Sequence, residues 1–314
     1  MTTQSKEATR NRFGEVLSAL GNENPNVVFV GGDLNKSVMS VDFAKHYPDR
    51  FFDLGAAEQN MMSVAAGLAS AGKIPFVSTF AVFATSRAYD QIRVGISQPG
   101  LNVKIVTTHA GILTGEDGIS AQAIEDVSLM TALPSFNVVV PADAVETEAA
   151  VRTAAEMNGP FYIRLSRPAT PVILPPTYEF RLGKAEKVRE GSDVTIIACG
   201  IMTSAALEAA DDLASEGIQA RVLNMSTIQP LDRKAVKAAA ATGAIVVAEE
   251  HQLRGGLGSA VATEVALSHP VPMEFVALTG YAESGKAEEL LVKYKLTPAD
   301  VAQAARRAVN RRGR

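Results

Sequence analysis

Cysteine is almost missing from this 314-residue chain: Cys199 stands alone, so neither an intrachain disulfide nor a multi-cysteine zinc site can form. It closes the apolar run Val194-Thr195-Ile196-Ile197-Ala198, where a buried structural thiol is expected rather than a nucleophile. Tryptophan is absent and aromatic residues make up only 6%. A basic excess is lacking too: the net charge is −4, which argues against a nucleic-acid partner. The one basic concentration, Arg306, Arg307, Arg311, Arg312 and Arg314, reads as a solvated helix end favoured by the helix dipole. No uncharged apolar stretch reaches membrane-spanning length, and Met1-Thr2-Thr3-Gln4-Ser5-Lys6 lacks the apolar core of a signal peptide. A cytoplasmic, reducing location is the expectation. With 47% hydrophobic and 20% charged residues, the composition excludes extended disorder.

Short apolar runs alternate with longer amphipathic ones, the pattern of an α/β protein with mainly parallel sheets. Strands are expected at residues 27–30, 51–54, 76–79, 103–108, 138–140 and 162–165, and helices at 12–20, 58–70, 81–96 and 143–157. Pro168, Pro171, Pro175 and Pro176 then interrupt the pattern. A second series follows, with strands at 194–199, 220–224, 244–248 and 273–278 and helices at 204–216, 232–241, 257–267 and 298–309. The expected organisation is two α/β domains, residues 1–170 and 186–314, joined by a Pro-rich linker at 171–185.

Chemistry-bearing residues gather near the carboxyl ends of the first-half strands, where α/β sheets place ligands. Glu58 follows Gly55-Ala56-Ala57 and opens a nearly apolar helix containing Met61, Met62, Ala65 and Ala66. An acid there is either a dipole-favoured helix start or a buried, unpaired carboxylate that drifts toward its neutral form and can share a proton. Phe80 and Phe83, in Thr79-Phe80-Ala81-Val82-Phe83, can share a helix face as core or as a platform for a flat ring. His109 closes a strand ahead of a turn carrying Gly111, Gly115, Glu116, Asp117 and Gly118. A histidine beside carboxylates suits proton transfer at sugar hydroxyls or carbonyls; an incidental surface turn is the alternative. Arg10 and Arg167 offer forks that match phosphate geometry. Gly255-Gly256-Leu257-Gly258 has the look of a phosphate-binding turn, but lacks dinucleotide spacing and fits tight strand-to-helix packing better. His251, after Glu249-Glu250, reads as structural.

Taken in order, these motifs resemble the C-terminal half of transketolase over essentially the whole chain: a pyrimidine-binding domain followed by the transketolase C-terminal domain. Gly55-Ala56-Ala57-Glu58-Gln59-Asn60 resembles the segment whose glutamate contacts the aminopyrimidine of thiamine diphosphate. Thr79-Phe80-Ala81-Val82-Phe83 resembles the aromatic pocket for that ring. Thr108-His109 and Gly115-Glu116-Asp117-Gly118 are similar to the family's substrate-binding histidine and aspartate, and Leu165-Ser166-Arg167 to its phosphate-binding arginine. Arg10, and Gly32-Asp33-Leu34 with Ser37 beyond, fit further phosphate contacts. The resemblance therefore implies Glu58 and His109 as catalytic residues, Glu58, Phe80 and Phe83 as cofactor contacts, and Arg10, Ser37, His109, Asp117 and Arg167 as substrate contacts, with no metal ligand in this chain.

Two departures stand out. A second histidine usual in the family is Ala121 here, which implies altered donor specificity, and a pocket tyrosine is Ser86. The family's Gly-Asp-Gly and asparagine segment for Mg²⁺ and diphosphate has no counterpart in this sequence. The resemblance then implies a two-chain transketolase: thiamine diphosphate lodged against an N-terminal partner subunit that supplies the Mg²⁺ ligands, in a heterotetramer. The implied reaction moves a two-carbon ketol unit from a ketose phosphate to an aldose phosphate. Rival readings are a deoxyxylulose phosphate synthase-like enzyme, the β subunit of a 2-oxoacid dehydrogenase, or a non-catalytic assembly subunit.

Overall fold

Apolar runs such as Val27-Val28-Phe29-Val30 are buried along their whole length, the signature of strands covered on both faces, and they assemble parallel sheets. The computed structural model describes residues 5–312; the readings of Met1-Thr2-Thr3-Gln4 and of Arg314 fall outside the described residues. The first half comprises β1 (Lys6–Ala8), α1 (Thr9–Glu23), β2 (Val27–Gly31), α2 (Val41–His46), β3 (Phe51–Asp53), α3 (Glu58–Ser70), β4 (Ile74–Ser78), β5 (Lys104–Thr107), α4 (Asp126–Thr131), β6 (Asn137–Val139), α5 (Ala144–Glu156), β7 (Phe161–Arg164) and β8 (Ala169–Pro171). The second comprises β9 (Glu186–Arg189), β10 (Val194–Ala198), α6 (Met202–Ser215), β11 (Ala220–Asn224), β12 (Thr227–Gln229), α7 (Arg233–Ala240), β13 (Ile245–Gln252), α8 (Leu257–Ser268), β14 (Met273–Leu278), α9 (Ala287–Lys293) and α10 (Pro298–Asn310).

Two helix-flanked sheets result. One has seven strands in the order β12-β6-β7-β5-β4-β2-β3, all parallel except β12. The other has five, β14-β13-β10-β11-β9, all parallel except β9. β1 pairs antiparallel with β8 in a separate ribbon. Local chemistry sets several helix starts: Asp143 caps α5 by accepting from Glu146 N, Asp232 caps α7, and Thr297 and Asp300 form a capping box on α10.

Besides short elements the sequence pattern did not mark (α2, α4, α9, β1, β8 and β9), the structure differs from it in two ways that shape the site and the packing. The helix expected over 81–96 is present but wound differently, mostly as two π-helical segments, Phe83–Arg87 and Gln91–Ser97. The Thr85 hydroxyl bonds the Ala81 carbonyl at 2.8 Å, competing with the α-helical ladder where it would start. The second departure is β12, which leaves the second half of the chain to pair with β6 of the first. Residues 172–185 form no helix or strand, yet they are tethered: Asp143 Oδ2 accepts from the amides of Ile173 and Leu174 at 2.7 and 2.8 Å. Tyr178 donates to the buried Glu146 at 2.8 Å. One apolar cluster runs from Met61 and Ile92 through Val138 to Ile228 and Val247, so the two halves share core. Among the described residues, no helix is long and apolar enough to cross a membrane.

Candidate functional site

The sequence-predicted residues meet at the carboxyl ends of β2, β4, β5 and β7, in one connected line. Glu58 is the first residue of α3 and only 3% exposed. It is not unpaired, as its apolar helix suggested: Arg87 Nη1 reaches its Oε2 at 3.2 Å. The Arg87 guanidinium also lies 5.3 Å from the centre of the Phe83 ring. Phe83 stacks on Phe80, with centroids 5.6 Å apart and planes at 12°. Phe80 in turn stacks on His109 at 3.8 Å. The Phe80 backbone is held there by a bridge to Thr108 beyond the ends of β4 and β5.

His109 is buried and takes a left-handed backbone, φ 56°, unusual for a residue with a side chain. The Thr114 hydroxyl fastens its carbonyl at 2.7 Å. Its Nδ1 lies 2.8 Å from Thr108 Oγ1, and its Nε2 3.5 Å from Arg10 Nη1. Burial, reinforced by the charges of Arg10 and Arg167, pushes its pKa down to about 3, so the ring is neutral at pH 7. Arginine only donates, so the neutral form that fits both neighbours carries its proton on Nδ1 and presents a lone pair at Nε2.

Arg10 also donates to the Ser37 carbonyl at 3.1 Å, so Ser37 joins the site through its backbone. Burial and the nearby Arg167 charge lower the Arg10 pKa. Arg167 Nη1 donates to Thr114 O at 2.6 Å and lies 3.5 Å from Glu116 and 4.0 Å from Asp117. Both carboxylates sit on the 3₁₀ segment Ile112–Asp117 and are exposed. Two like charges converging on one buried histidine make a surface ready for an anion. Ser86 is exposed and Ala121 buried. Among the described residues, no group of three or more His, Cys, Asp or Glu is set to hold a metal ion.

Arg87 and Asp53 were not legible as site residues in the sequence. Arg87 follows Phe83 by four positions and closes the first π-helical segment. Asp53, at the end of β3, accepts from the amides of Asp33 and Gly55, each at 3.0 Å, and from the Asn35 side chain. Partial burial works against its charge, but these bonds hold its pKa below the usual carboxylate range. It thereby joins the turn leading to Ser37 with the turn leading to Glu58.

Behind this open rim lies a closed ionic assembly between the two halves. Arg164 bonds Asp126 Oδ2 at 2.9 Å and the carbonyls of Ala123 and Glu250 at 3.2 and 2.9 Å. Tyr162 donates to the same Asp126 oxygen at 2.6 Å. Glu250 accepts from Leu113 N, and Glu249 from the amides of Leu257 and Gly258, all at 2.8 Å. Burial raises both glutamates to about 7. His251 is buried beside them with Nδ1 2.8 Å from Gln252 O, and burial lowers it to about 4. The glycine turn at 255–258 thus caps α8 with Glu249, and a side chain at Gly256 would collide with that carboxylate.

Comparison with known proteins agrees with this architecture. The transketolase pyrimidine-binding domain model matches residues 5–172, and the transketolase C-terminal domain model residues 183–301. The chain is 42% identical to a transketolase C-terminal section of Methanocaldococcus jannaschii over 299 residues, covering 94% of each. It is 39% identical to a 6-deoxy-6-sulfo-D-fructose transketolase subunit of a Clostridium species, covering 96% of this chain and 95% of that one. It is also 39% identical to human transketolase, but spans only 49% of that protein. A solved split-gene transketolase, described as an inactive β4 tetramer, is 49% identical, with a TM-score of 0.90 over 98% of this chain and 99% of that one. The chain therefore belongs to the transketolase family and corresponds to its C-terminal section, a pyrimidine-binding domain followed by the transketolase C-terminal domain.

Proposed function

We propose that this chain is the pyrimidine-binding subunit of a two-chain transketolase. With an N-terminal subunit it moves a two-carbon ketol unit from a ketose phosphate to an aldose phosphate. The observation that carries this reading is the buried Glu58 carboxylate, joined through Arg87 to the stacked Phe83–Phe80 ledge. An apolar ledge beside one acid fits the aminopyrimidine end of thiamine diphosphate. When bound, that cofactor supplies the nucleophilic carbon and the electron sink for carbon–carbon cleavage. The Mg²⁺ and diphosphate contacts belong, on this reading, to the partner subunit. That the 49%-identical split-gene relative is an inactive tetramer of one chain type supports a need for that partner. A heterotetramer in the cytoplasm is the corresponding assembly and location.

This chain's own residues do the rest. Glu58 holds a proton at a pyrimidine ring nitrogen, and Phe80 and Phe83 orient the ring. His109, neutral and buried, exchanges a proton or hydrogen bond at a substrate oxygen. Asp117 reads a sugar hydroxyl, while Arg10, Ser37 and Arg167 hold the terminal anion. Ala121 offers no hydrogen bond to the donor sugar, and a sulfonated sugar such as the clostridial relative is named for is a second candidate donor.

Assembly with the N-terminal subunit should yield two-carbon transfer from a ketose phosphate and none from pyruvate. Glu58→Gln should lower turnover by about 10²- to 10⁴-fold with an unchanged melting temperature. Near-normal turnover in that variant, or pyruvate as the preferred donor, would overturn the assignment.

A further inference from the structure

The loop bearing Glu116 and Asp117 belongs to the first half of the chain, yet the second half holds it. At its start, Leu113 N donates to Glu250 of β13, and a side chain at Gly111, φ 73°, would run into that carboxylate. At its end, Ser284 Oγ donates to Glu116 O at 2.6 Å. Gln122, 2% exposed, sends its Nε2 to Glu283 O at 3.0 Å and to Gly115 O at 3.4 Å, so one amide bridges the loop and the C-terminal turn. Gly115 and Gly118 have φ of 77° and 74°, which disfavours a side chain at either, and one at Gly118 would also press against Ser284. The Gln122 Oε1 atom is buried without a hydrogen-bond partner. An orphaned buried acceptor costs stability, so what favours an amide at this position is the pair of hydrogen bonds its Nε2 makes to the loop and to the C-terminal turn.

We propose that the C-terminal domain is the positioning element of the substrate loop. Through Ser284 and the Glu283 carbonyl, with Gln122 as the strut, it sets where Asp117 and Glu116 stand against Arg167. Gln122 and Ser284 are positioning residues: they act on substrate through the loop and not by contact. This rests on the transketolase reading for the identity of the substrate, but the holding of the loop does not depend on it.

Two measurements separate the two. Hydrogen–deuterium exchange on the chain should show the Thr114 and Gly118 amides exchanging about tenfold faster in a Gln122→Met, Ser284→Ala double variant. Exchange in β2, β4 and β5 and the melting temperature should hold steady, because methionine also removes the orphaned oxygen. Ser284→Thr, which keeps the hydroxyl, should exchange like the parent. In the two-subunit enzyme, the double variant should raise KM for a ketose phosphate about tenfold and leave kcat within about twofold. Unchanged loop exchange overturns the proposal whatever the kinetics. A loosened loop with unchanged KM overturns its link to substrate. If the parent assembly transfers no two-carbon unit while the loop loosens as expected, the transketolase reading fails and the substrate role proposed for the strut falls with it.

Discussion

The rim and the junction use the same residue types to opposite ends. At the junction, Arg164 is enclosed by Asp126, Glu250 and two carbonyls, and each glutamate is met by backbone amides. At the rim, Arg10 and Arg167 both bear on a buried neutral histidine, Arg167 also faces two exposed acids, and Arg87 is the cation on Glu58. A buried ion whose partners are all internal holds structure. An ion whose partners are partial or exposed keeps binding capacity for something else. Burial alone does not separate the two classes, since Glu58 and Glu250 are both buried. What separates them is the partner: the junction's cation Arg164 meets only buried acceptors, whereas the rim's Arg87 and Arg167 stand partly exposed.

The sharpest way to break this comparison is to remove the junction's cation. Arg164→Met should cost about 3–5 kcal/mol in urea unfolding, because it strands Asp126 and Glu250 in a dry interior. A loss under about 1 kcal/mol would erase the distinction. At the rim, Arg167→Ala should leave the unfolding midpoint nearly unchanged and raise KM for a sugar phosphate, about tenfold or more. A ketose without the phosphate should be far less affected; an equal rise for both would remove Arg167 from anion binding.

His109 sharpens the comparison through pH. Its folded pKa near 3 lies below the ordinary 6.5, so between those values the unfolded chain holds a proton that the folded chain lacks. Its contribution to stability is complete above about pH 6.5 and is lost as pH falls toward 3. Imidazole nitrogen shifts should therefore stay flat from pH 5 to 8, and His109→Asn should reduce the acid-side slope of stability. A titration near 6.5 in the folded chain would mean the ring is solvated. The smallest effect belongs to Arg87→Ala: its ion pair is largely exposed on the arginine side, so stability should change by less than about 1 kcal/mol. A larger loss would move Glu58 into the junction's class.

Much of this was legible from local pattern. Apolar runs marked the central strands, Asp143 the start of α5, and strand ends the neighbourhood of Glu58, Phe80, His109 and Arg167. The strut and the junction were not legible, because Gln122 and Glu283 are 161 positions apart and Arg164 and Glu250 are 86 apart. Nothing in either segment alone marks the other. The helix expected over 81–96 is present, but its winding was not legible, because apolar spacing cannot distinguish α from π.

By itself, the sequence determined the α/β class, the strand ends where ligands gather and the family, since these follow from short-range periodicity and ordered motifs. The tertiary structure decided which charges are spent and which are free, that β12 crosses to the other sheet, and that the second half of the chain holds the loop bearing Glu116 and Asp117. Those outcomes depend on desolvation and on hydrogen bonds between distant segments, which come into being only when the two halves pack together.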